Sequence, residues 1–248
     1  MWEISIISSS KNRHYLFNIK KNLSAKFKNS GLLCVCEKIN DNHILSVACS
    51  SKIQEAQSYL REVLAERIVL IFKEEFLNQK IIMENVSETC KSAFIKALMC
   101  FDFENDVNIV FNELNINSNI NLEAFYKFRL GKLRNKWNDL INATSYDSMY
   151  LNNYEIFLEF LKFLIESIKP TFKEINVYFK DNYYVLLDEN GKRIVCNEAS
   201  KVYKDEISLV TDLIMLAPLK IKFYCGNVSR DTQKLISYIF DGRVQQLV

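Results

Sequence analysis

The sequence predicts an α+β protein in which strands lie towards both ends of the chain and helices fill the middle. Apolar residues alternate with polar ones, as they do in strands, near the amino terminus and again after Pro170. In residues 87–168 the apolar positions instead recur at the three-to-four-residue spacing of helices. The chain has only 5 glycines and 2 prolines in 248 residues, which disfavours long flexible linkers. We therefore expect three parts, residues 1–84, 85–169 and 170–248.

The amino-terminal part, residues 1–84, is expected to be an α+β unit with the order β-α-β-β-α. Gly31 ends its first helix. The Asn40-Asp41-Asn42 segment favours a tight turn, so the strands on either side of it are expected to form a hairpin. The predicted elements are, in order, Trp2–Ile7, Asn12–Asn29, Leu32–Ile39, His43–Cys49 and a helix from Lys52 to about Ile82.

The middle part, residues 85–169, is expected to contain only helices. Asn115–Asn121 is the clearest loop, and the Asn121 side chain is a candidate N-cap for the helix that follows, with Glu123 near the positive end of that helix. Pro170 ends the last helix because proline lacks an amide donor. The predicted helices are one that begins near Ser87 and includes Phe101, then Asp102–Leu114, Phe125–Ile141 and Tyr154–Ile168.

The carboxy-terminal part, residues 170–248, is expected to be a β-meander followed by α-β-α-β. Asp188-Glu189-Asn190-Gly191 predicts a tight turn between two strands, and Pro218 ends the following helix. Whether these strands join those of the amino-terminal part in one sheet is left open. The predicted elements are Ile175–Lys180, Tyr183–Leu187, Lys192–Cys196, Asp205–Leu216, Leu219–Cys225, Ser229–Phe240 and Arg243–Val248.

The central stretch Phe125–Ile141 carries the most distinctive pattern in the chain. Its apolar stripe predicts a helix with one buried side, in which Trp137 belongs to the core. The stripe consists of Tyr126, Leu130, Leu133, Trp137, Leu140 and Thr144. Basic residues flank the stripe and are candidate partner-binding residues. They are Lys127, Arg129, Lys132, Arg134 and Lys136.

Three interpretations of these basic residues remain open. Residues 101–126 contain five acids and no lysine or arginine, so an internal partner is at hand. A protein partner is the second interpretation. Nucleic acid is the third, because phosphates attract such charges and bases stack on aromatic residues such as Phe128 and Trp137. The net charge of only +2 makes nucleic acid the least favoured.

Common catalytic and cofactor-binding motifs are missing from the sequence. The glycines are too widely spaced for a phosphate-binding loop or a dinucleotide fingerprint, and no G-x-S-x-G elbow occurs. His14 and His43 are the only histidines, which excludes a multi-histidine metal site. We therefore expect a non-enzymatic protein without catalytic residues, metal or cofactor. A hydrolase or transferase whose site is built from unremarkable acids remains the enzymatic alternative.

Two weaker metal-site patterns have simpler explanations. Cys34 and Cys36 share one face of a strand, which favours small core residues over metal ligands. The spacing of Asp102, Glu104 and Asp106, with Asn108 and Glu113, resembles that of a calcium loop. Val107 stands where that loop requires glycine for its sharp turn.

The cysteines indicate a reducing compartment. There are seven, an odd number scattered along the chain, so no disulfide framework is implied. The amino terminus lacks a secretory signature, and no apolar run is long enough to predict a membrane span. We therefore expect a cytoplasmic protein.

Four segments resemble the YtxC-like family of proteins from endospore-forming bacteria. They are Phe128-Arg129-Leu130, Leu186-Leu187-Asp188-x-x-Gly191, Asp212–Ile221 and Ile239–Val244. The resemblance departs at Gly131, because glycine weakens a helix interior. It implies a cytoplasmic role in spore formation and carries over no catalytic residue. We therefore expect an interaction or regulatory protein of sporulation, which binds a protein partner or forms a homo-oligomer.

Overall fold

The computed structural model describes residues 1–83, 86–145, 154–194, 205–224 and 226–246. Within these ranges the chain forms nine α-helices and eight strands in two mixed sheets, which confirms the predicted α+β class. It divides into two compact units. Unit 1 comprises residues 1–76 and 103–142, and unit 2 comprises residues 77–102 and 143–248. None of the described helices is long and apolar enough to cross a membrane.

The elements are numbered here in chain order. They are β1 (Trp2–Ser9), α1 (Arg13–Lys26), β2 (Leu32–Ile39), β3 (Asn42–Cys49), α2 (Ile53–Lys80), α3 (Glu88–Cys100), α4 (Phe103–Glu113), β4 (Ile120–Asn121), α5 (Leu122–Arg129), α6 (Gly131–Ser145), α7 (Tyr154–Ser167), β5 (Ile175–Lys180), β6 (Tyr183–Asp188), α8 (Glu206–Leu216), β7 (Ile221–Phe223), α9 (Arg230–Ile239) and β8 (Val244–Gln246).

The sheet of unit 1 has the strand order β2-β3-β1-β4. Strands β2 and β3 form the predicted antiparallel hairpin, whose turn places Asn40 at a φ of 53°. Gly31 precedes β2 at a φ of +63°, where a Cβ atom would lie 2.4 Å from the Ser50 hydroxyl oxygen, so any other residue would be strained and would displace Ser50. One face of the sheet carries buried residues such as Ile6 and Leu45, which join residues of α1 and α2 in one apolar core.

The middle of the chain departs from the prediction at Ile120 and Asn121. These residues were expected to lie in a loop, but they form β4, which runs parallel to β1 and pairs Ile120 with Ile6. The side chain of Asn119 supports this pairing, because its Oδ1 atom accepts a hydrogen bond from the Ser5 amide at 3.0 Å. The prediction that residues 85–169 contain only helices is therefore wrong at this short strand.

The sheet of unit 2 has the strand order β6-β5-β7-β8. Strands β5 and β6 form the predicted antiparallel pair, whereas β7 and β8 add in parallel. The predicted third meander strand is reduced, among described residues, to a single bridge between Leu187 and Arg193, and residues 195–196 lie outside the described ranges. Helix α3 packs against α7 and α8, with the Phe94 and Phe157 rings 5.5 Å apart. The described strands thus form two separate sheets.

Candidate partner-binding site

The predicted central helix is two helices that meet at Leu130. Asn121 caps the first as predicted, because its Oδ1 atom accepts a hydrogen bond from the Ala124 amide at 2.9 Å. Leu130 leaves helical geometry, with a ψ of 33°, and its side chain is buried in the core of unit 1. Gly131 is the first residue of α6 and weakens no helix interior, so the predicted single helix over residues 125–141 is wrong at this break.

Arg134 stabilises the end of α5. Its Nη1 atom donates hydrogen bonds to the carbonyl oxygens of Tyr126 at 2.5 Å and Lys127 at 2.7 Å. The last carbonyls of a helix have no partner within it, so a cation placed there both donates hydrogen bonds and balances the helix dipole. Its guanidinium also lies 5.3 Å from the centre of the Tyr126 ring. Arg134, one of the candidate partner-binding residues, therefore has a structural role.

Lys136 also points inward. Its Nζ atom lies 2.5 Å from Oδ1 of Asp106, and Lys73 Nζ lies 2.7 Å from Oδ2 of the same carboxylate. The indole nitrogen of Trp137 donates to Oδ2 at 3.0 Å. Asp106 is fully buried, so these three donors satisfy a carboxylate that has no access to solvent. The internal partner considered from the sequence is therefore present for Lys136.

Trp137 lies in the core as the apolar stripe predicted, with 1% of its surface exposed. Its ring centre is 5.6 Å from that of Phe76 and 6.3 Å from that of Tyr126. Tyr126 in turn stacks on Phe72, with ring centres 4.2 Å apart and planes only 2° from parallel. Helices α2, α5 and α6 thus share one aromatic cluster. The side chain of Thr144, also assigned to the stripe, lies outside the described part of the structure.

Four residues at the junction of α5 and α6 remain on the surface, and we call them the Phe128 patch. They are Lys127, Phe128, Arg129 and Lys132. Phe128 is 74% exposed, and the Lys127 ammonium lies 5.5 Å from its ring centre. The five candidate basic residues therefore divide into two that bond within unit 1 and three that are exposed near Phe128 in the sequence.

A shallow hollow of about 630 Å³ adjoins this patch. Its lining residues are Glu113, Asn115, Ser118, Asn119, Ile120, Asn121, Ala124, Phe125, Phe128 and Arg129. The Oδ1 atoms of Asn115, Asn119 and Asn121 each accept a hydrogen bond from a backbone amide, with N···O distances of 3.0, 3.0 and 2.9 Å. The amide nitrogens of those side chains are therefore left as hydrogen-bond donors. Together with Arg129 they favour a ligand that is rich in acceptors.

Glu123 fixes the start of α5 to the end of β1. Its Oε1 atom accepts hydrogen bonds from the Ser9 amide at 2.8 Å, the Ser8 hydroxyl at 2.9 Å and the Asn12 side chain at 3.3 Å. Burial acts to raise the pKa of Glu123, but the hydrogen bonds from Ser9 and Ser8 outweigh it and the pKa is lowered. From the sequence, Glu123 was expected only to balance the helix dipole; its contacts to β1 depend on tertiary structure.

The cysteines and acids singled out in the sequence lie in different parts of the fold. Cys34 and Cys36 are half-buried on β2, where burial raises the pKa of the Cys34 thiol to about 11 and also raises that of Cys36. Such thiols stay protonated at neutral pH, which disfavours metal binding and nucleophilic attack. Asp106 lies within helix α4 and is bound to two lysines. Among the described residues, no group of three His, Cys, Asp or Glu is placed to hold a metal ion.

Comparison with known proteins gives one match. Residues 43–245 match the model of the YtxC-like family, a range that includes the Phe128 patch, the hollow and the buried Asp106 cluster. No curated protein and no solved structure matches the chain. The matched range begins at His43 in strand β3, so β1, α1 and β2 lie before it.

Proposed function

Because the chain belongs to the YtxC-like family, we propose that it is a cytoplasmic, non-enzymatic interaction or regulatory protein of sporulation. We assign binding of a protein partner to the Phe128 patch. The observation that carries this assignment is Phe128 itself, a large aromatic side chain that is 74% exposed between cations. Aromatic and arginine side chains account for much of the binding energy at protein interfaces.

The patch is presented on a firmly held segment. Glu123 ties the start of α5 to β1, and the Arg134 guanidinium holds its last carbonyls. A surface that is already ordered loses less conformational entropy when a partner binds, and so binds more tightly for the same contacts. Glu123 and Arg134 thus hold the segment in place, while Lys127, Arg129 and Lys132 stay exposed on it.

The charge of the patch favours an acidic partner. Three exposed cations attract carboxylates, and the donor groups of the adjoining hollow can bond to carbonyl or carboxylate oxygens. An apolar cavity on the partner would accept the Phe128 ring. Nucleic acid is the second candidate because the same cations and ring could meet phosphates and bases. It ranks lower because only three basic residues remain in the patch and the net charge of the chain is +2.

The proposal assigns no catalytic residue and no metal. It is supported by the buried carboxylate of Asp106, which pairs with Lys73 and Lys136, and by the raised pKa of the Cys34 thiol. Elemental analysis of the purified protein tests this part. We expect no stoichiometric metal and no turnover of generic ester or phosphoester substrates. One equivalent of zinc would contradict it and would make Cys34, Cys36 and Cys49 candidate ligands.

The partner is tested in sporulating cells with a photo-crosslinking residue at position 124, an exposed alanine that lines the adjoining hollow. We expect the wild type to crosslink to one protein. The Phe128→Ala substitution should abolish this crosslinking and should also lower the efficiency of spore formation. Loss of an aromatic hot spot costs about 2 kcal/mol, which corresponds to roughly 30-fold in affinity.

Phe163→Ala is the matched control, because Phe163 lies on α7 and is 57% exposed. Both variants should keep the urea midpoint and circular dichroism of the wild type. Normal sporulation and crosslinking with Phe128→Ala, or an equal defect with Phe163→Ala, would contradict the assignment. Crosslinks to nucleic acid in place of protein would favour the second candidate.

A further inference from the structure

Strand β2 forms one edge of the sheet of unit 1 and is unusually suited to pairing. It runs for eight residues, Leu32–Ile39, without glycine or proline. Leu33, Val35 and Ile39 are 71%, 49% and 50% exposed, so large apolar side chains recur along it. Proteins usually protect an edge strand by making it short or by placing proline, lysine or a bulge in it. The first five residues of β2, Leu32–Cys36, carry none of these features.

The hydrogen bonds show which amides of β2 face the free edge. The Ser50 amide donates to the Gly31 carbonyl at 3.3 Å, which makes these two residues a hydrogen-bonded pair. Bonded pairs alternate along an antiparallel ladder, so the odd-numbered residues of β2 bond to β3. The N–H and C=O groups of the even-numbered residues therefore face outward. These residues are Leu32, Cys34, Cys36 and Lys38.

Strand β1 follows the same alternation, but at least two of its outward amides have acceptors within unit 1. Its odd-numbered residues face away from β3, and the Ser5 and Ser9 amides donate to the side chains of Asn119 and Glu123 at 3.0 and 2.8 Å. In the part of the chain that the structure describes, β2 has no comparable partner along its free edge. The two edges of the sheet therefore differ in how well their outward backbone groups are bonded, and the β2 edge is the one open to another strand.

We propose that β2 pairs with β2 of a second copy of this chain, antiparallel and about a two-fold axis. The two sheets then form one continuous sheet, and the outward amides and carbonyls of each copy bond to those of the other. A second copy fits because an antiparallel pair of identical strands is self-complementary in its hydrogen bonds. This interface is separate from the Phe128 patch and does not depend on its function.

Charge and apolar contact together select the register of this pairing. An axis through Glu37 or Lys38 would set that residue opposite its own copy, and like charges directly opposite are destabilising. Axes through Cys34, Val35 and Cys36 all avoid like charges opposite. Of these three, only the axis through Cys36 places the exposed Leu33 opposite the exposed Ile39 of the second copy, at both ends of the interface, and it places Val35 opposite Glu37 of the second copy. We therefore assign the axis to Cys36.

Two substitutions of one side chain test the interface and its register. Light scattering coupled to size-exclusion chromatography should show a dimer for the wild type. Val35→Glu should give a monomer, because its carboxylate would face that of Glu37 in the second copy. Val35→Lys should keep the dimer, because it would face the same carboxylate with opposite charge. Ser46→Glu is the control, because Ser46 is exposed directly opposite Val35 on β3, away from the edge, and the dimer should persist.

Amide exchange measured by nuclear magnetic resonance separates dissociation from unfolding. In Val35→Glu the amides of Cys34, Cys36 and Lys38 should exchange quickly, while that of Glu37 stays protected by β3. In the wild type all four should be protected. A wild-type monomer, fast exchange at Cys36 in the wild type, a dimer that survives Val35→Glu, or open-ended larger assemblies would overturn the proposal. Loss of the dimer in both Val35→Glu and Val35→Lys would overturn the register.

Discussion

Lys73 and Asp106 form a salt bridge of 2.7 Å inside unit 1, and each side chain is only 1% exposed. Lys136 and the Trp137 indole bind the same carboxylate from α6. The carboxylate of α4 is thereby joined to α2 and α6. Burying charges costs desolvation energy that the pairing offsets only in part, so the cluster adds little net stability compared with an apolar cluster of similar volume.

Removing the shared carboxylate should be strongly destabilising. Asp106→Ala leaves the buried Lys73 ammonium without this counter-charge, and breaking a buried pair in this way typically costs about 3–5 kcal/mol. The expected result is a fall of that size in the free energy of unfolding, measured by urea denaturation. Replacing both partners, as Asp106→Leu with Lys73→Met, should recover part of the loss because no unpaired charge of the pair remains buried.

An exposed ion pair provides the matched control. Lys52 and Glu55 lie 3.5 Å apart with 59% and 65% of their side chains exposed. Glu55→Ala should change the free energy of unfolding by only about 0–1 kcal/mol, because water screens such pairs. An unchanged urea midpoint for Asp106→Ala would show that the buried cluster is not formed.

Trp137 should matter both for its volume and for its hydrogen bond. Trp137→Ala is expected to lower the free energy of unfolding by about 3–5 kcal/mol, the usual cost of deleting a buried aromatic residue. Trp137→Phe keeps most of the ring but removes the donor to Asp106, and a buried acceptor that loses a partner costs about 1–3 kcal/mol. Phe128→Ala, at an exposed ring, should stay within about 0.5 kcal/mol of the wild type. Equal stability of the Trp137→Ala protein and the wild type would contradict the buried cluster.

The sequence predicts best where a pattern is local. The spacing of Leu130, Leu133 and Trp137 identified the buried side of the central segment, and Asn121 was found as a cap because capping involves neighbours in sequence. The break at Leu130 was missed because leucine is a good helix former. That break is stabilised by the Arg134 guanidinium and by burial of Leu130 in the core.

Contacts between distant residues could not be predicted. Lys132 and Lys136 look equivalent on the helix, yet only Lys136 reaches Asp106, which lies 30 positions earlier. Strand β4 has just two residues, too few for an alternating pattern, and it forms because β1 offers an open edge. The Phe128 patch was therefore recognisable only as part of a larger basic run, from which tertiary structure removes Arg134 and Lys136.

Glu123 should make the stability of unit 1 depend on pH. Its pKa is lowered in the folded protein, so its contribution is complete above the unfolded pKa of about 4.3 and is lost as pH falls through the lower folded pKa. Glu123→Gln should therefore be less stable than the wild type near neutral pH. The difference should shrink as the pH falls below the unfolded pKa and through the lower folded pKa, because the wild-type carboxylate becomes protonated. Urea denaturation at several pH values measures this.

Glu3→Gln is the control for that series. Glu3 lies on the same strand, β1, and is exposed, so its substitution should leave the wild-type pH dependence in place. A constant difference between wild type and Glu123→Gln across the acid range would contradict the role given to the bonds from Ser8 and Ser9.

The last prediction separates a protein partner from nucleic acid at the Phe128 patch. We expect fluorescence anisotropy with random duplex and single-stranded oligonucleotides to show no submicromolar, salt-sensitive binding by the wild type. If Lys127, Arg129 and Lys132 did contact duplex phosphates, replacing all three with alanine would flatten the logarithmic salt dependence by about 2.7 units, at roughly 0.9 per phosphate. Replacing Arg13, Lys28 and Lys52, which are exposed in the same unit and also comprise two lysines and one arginine, controls for total charge. Lys136 is left unchanged in both variants because its ammonium binds Asp106, so its loss would alter stability as well as charge. Tight binding that only the first variant abolishes would make the patch a nucleic-acid site and would overturn the protein-partner assignment.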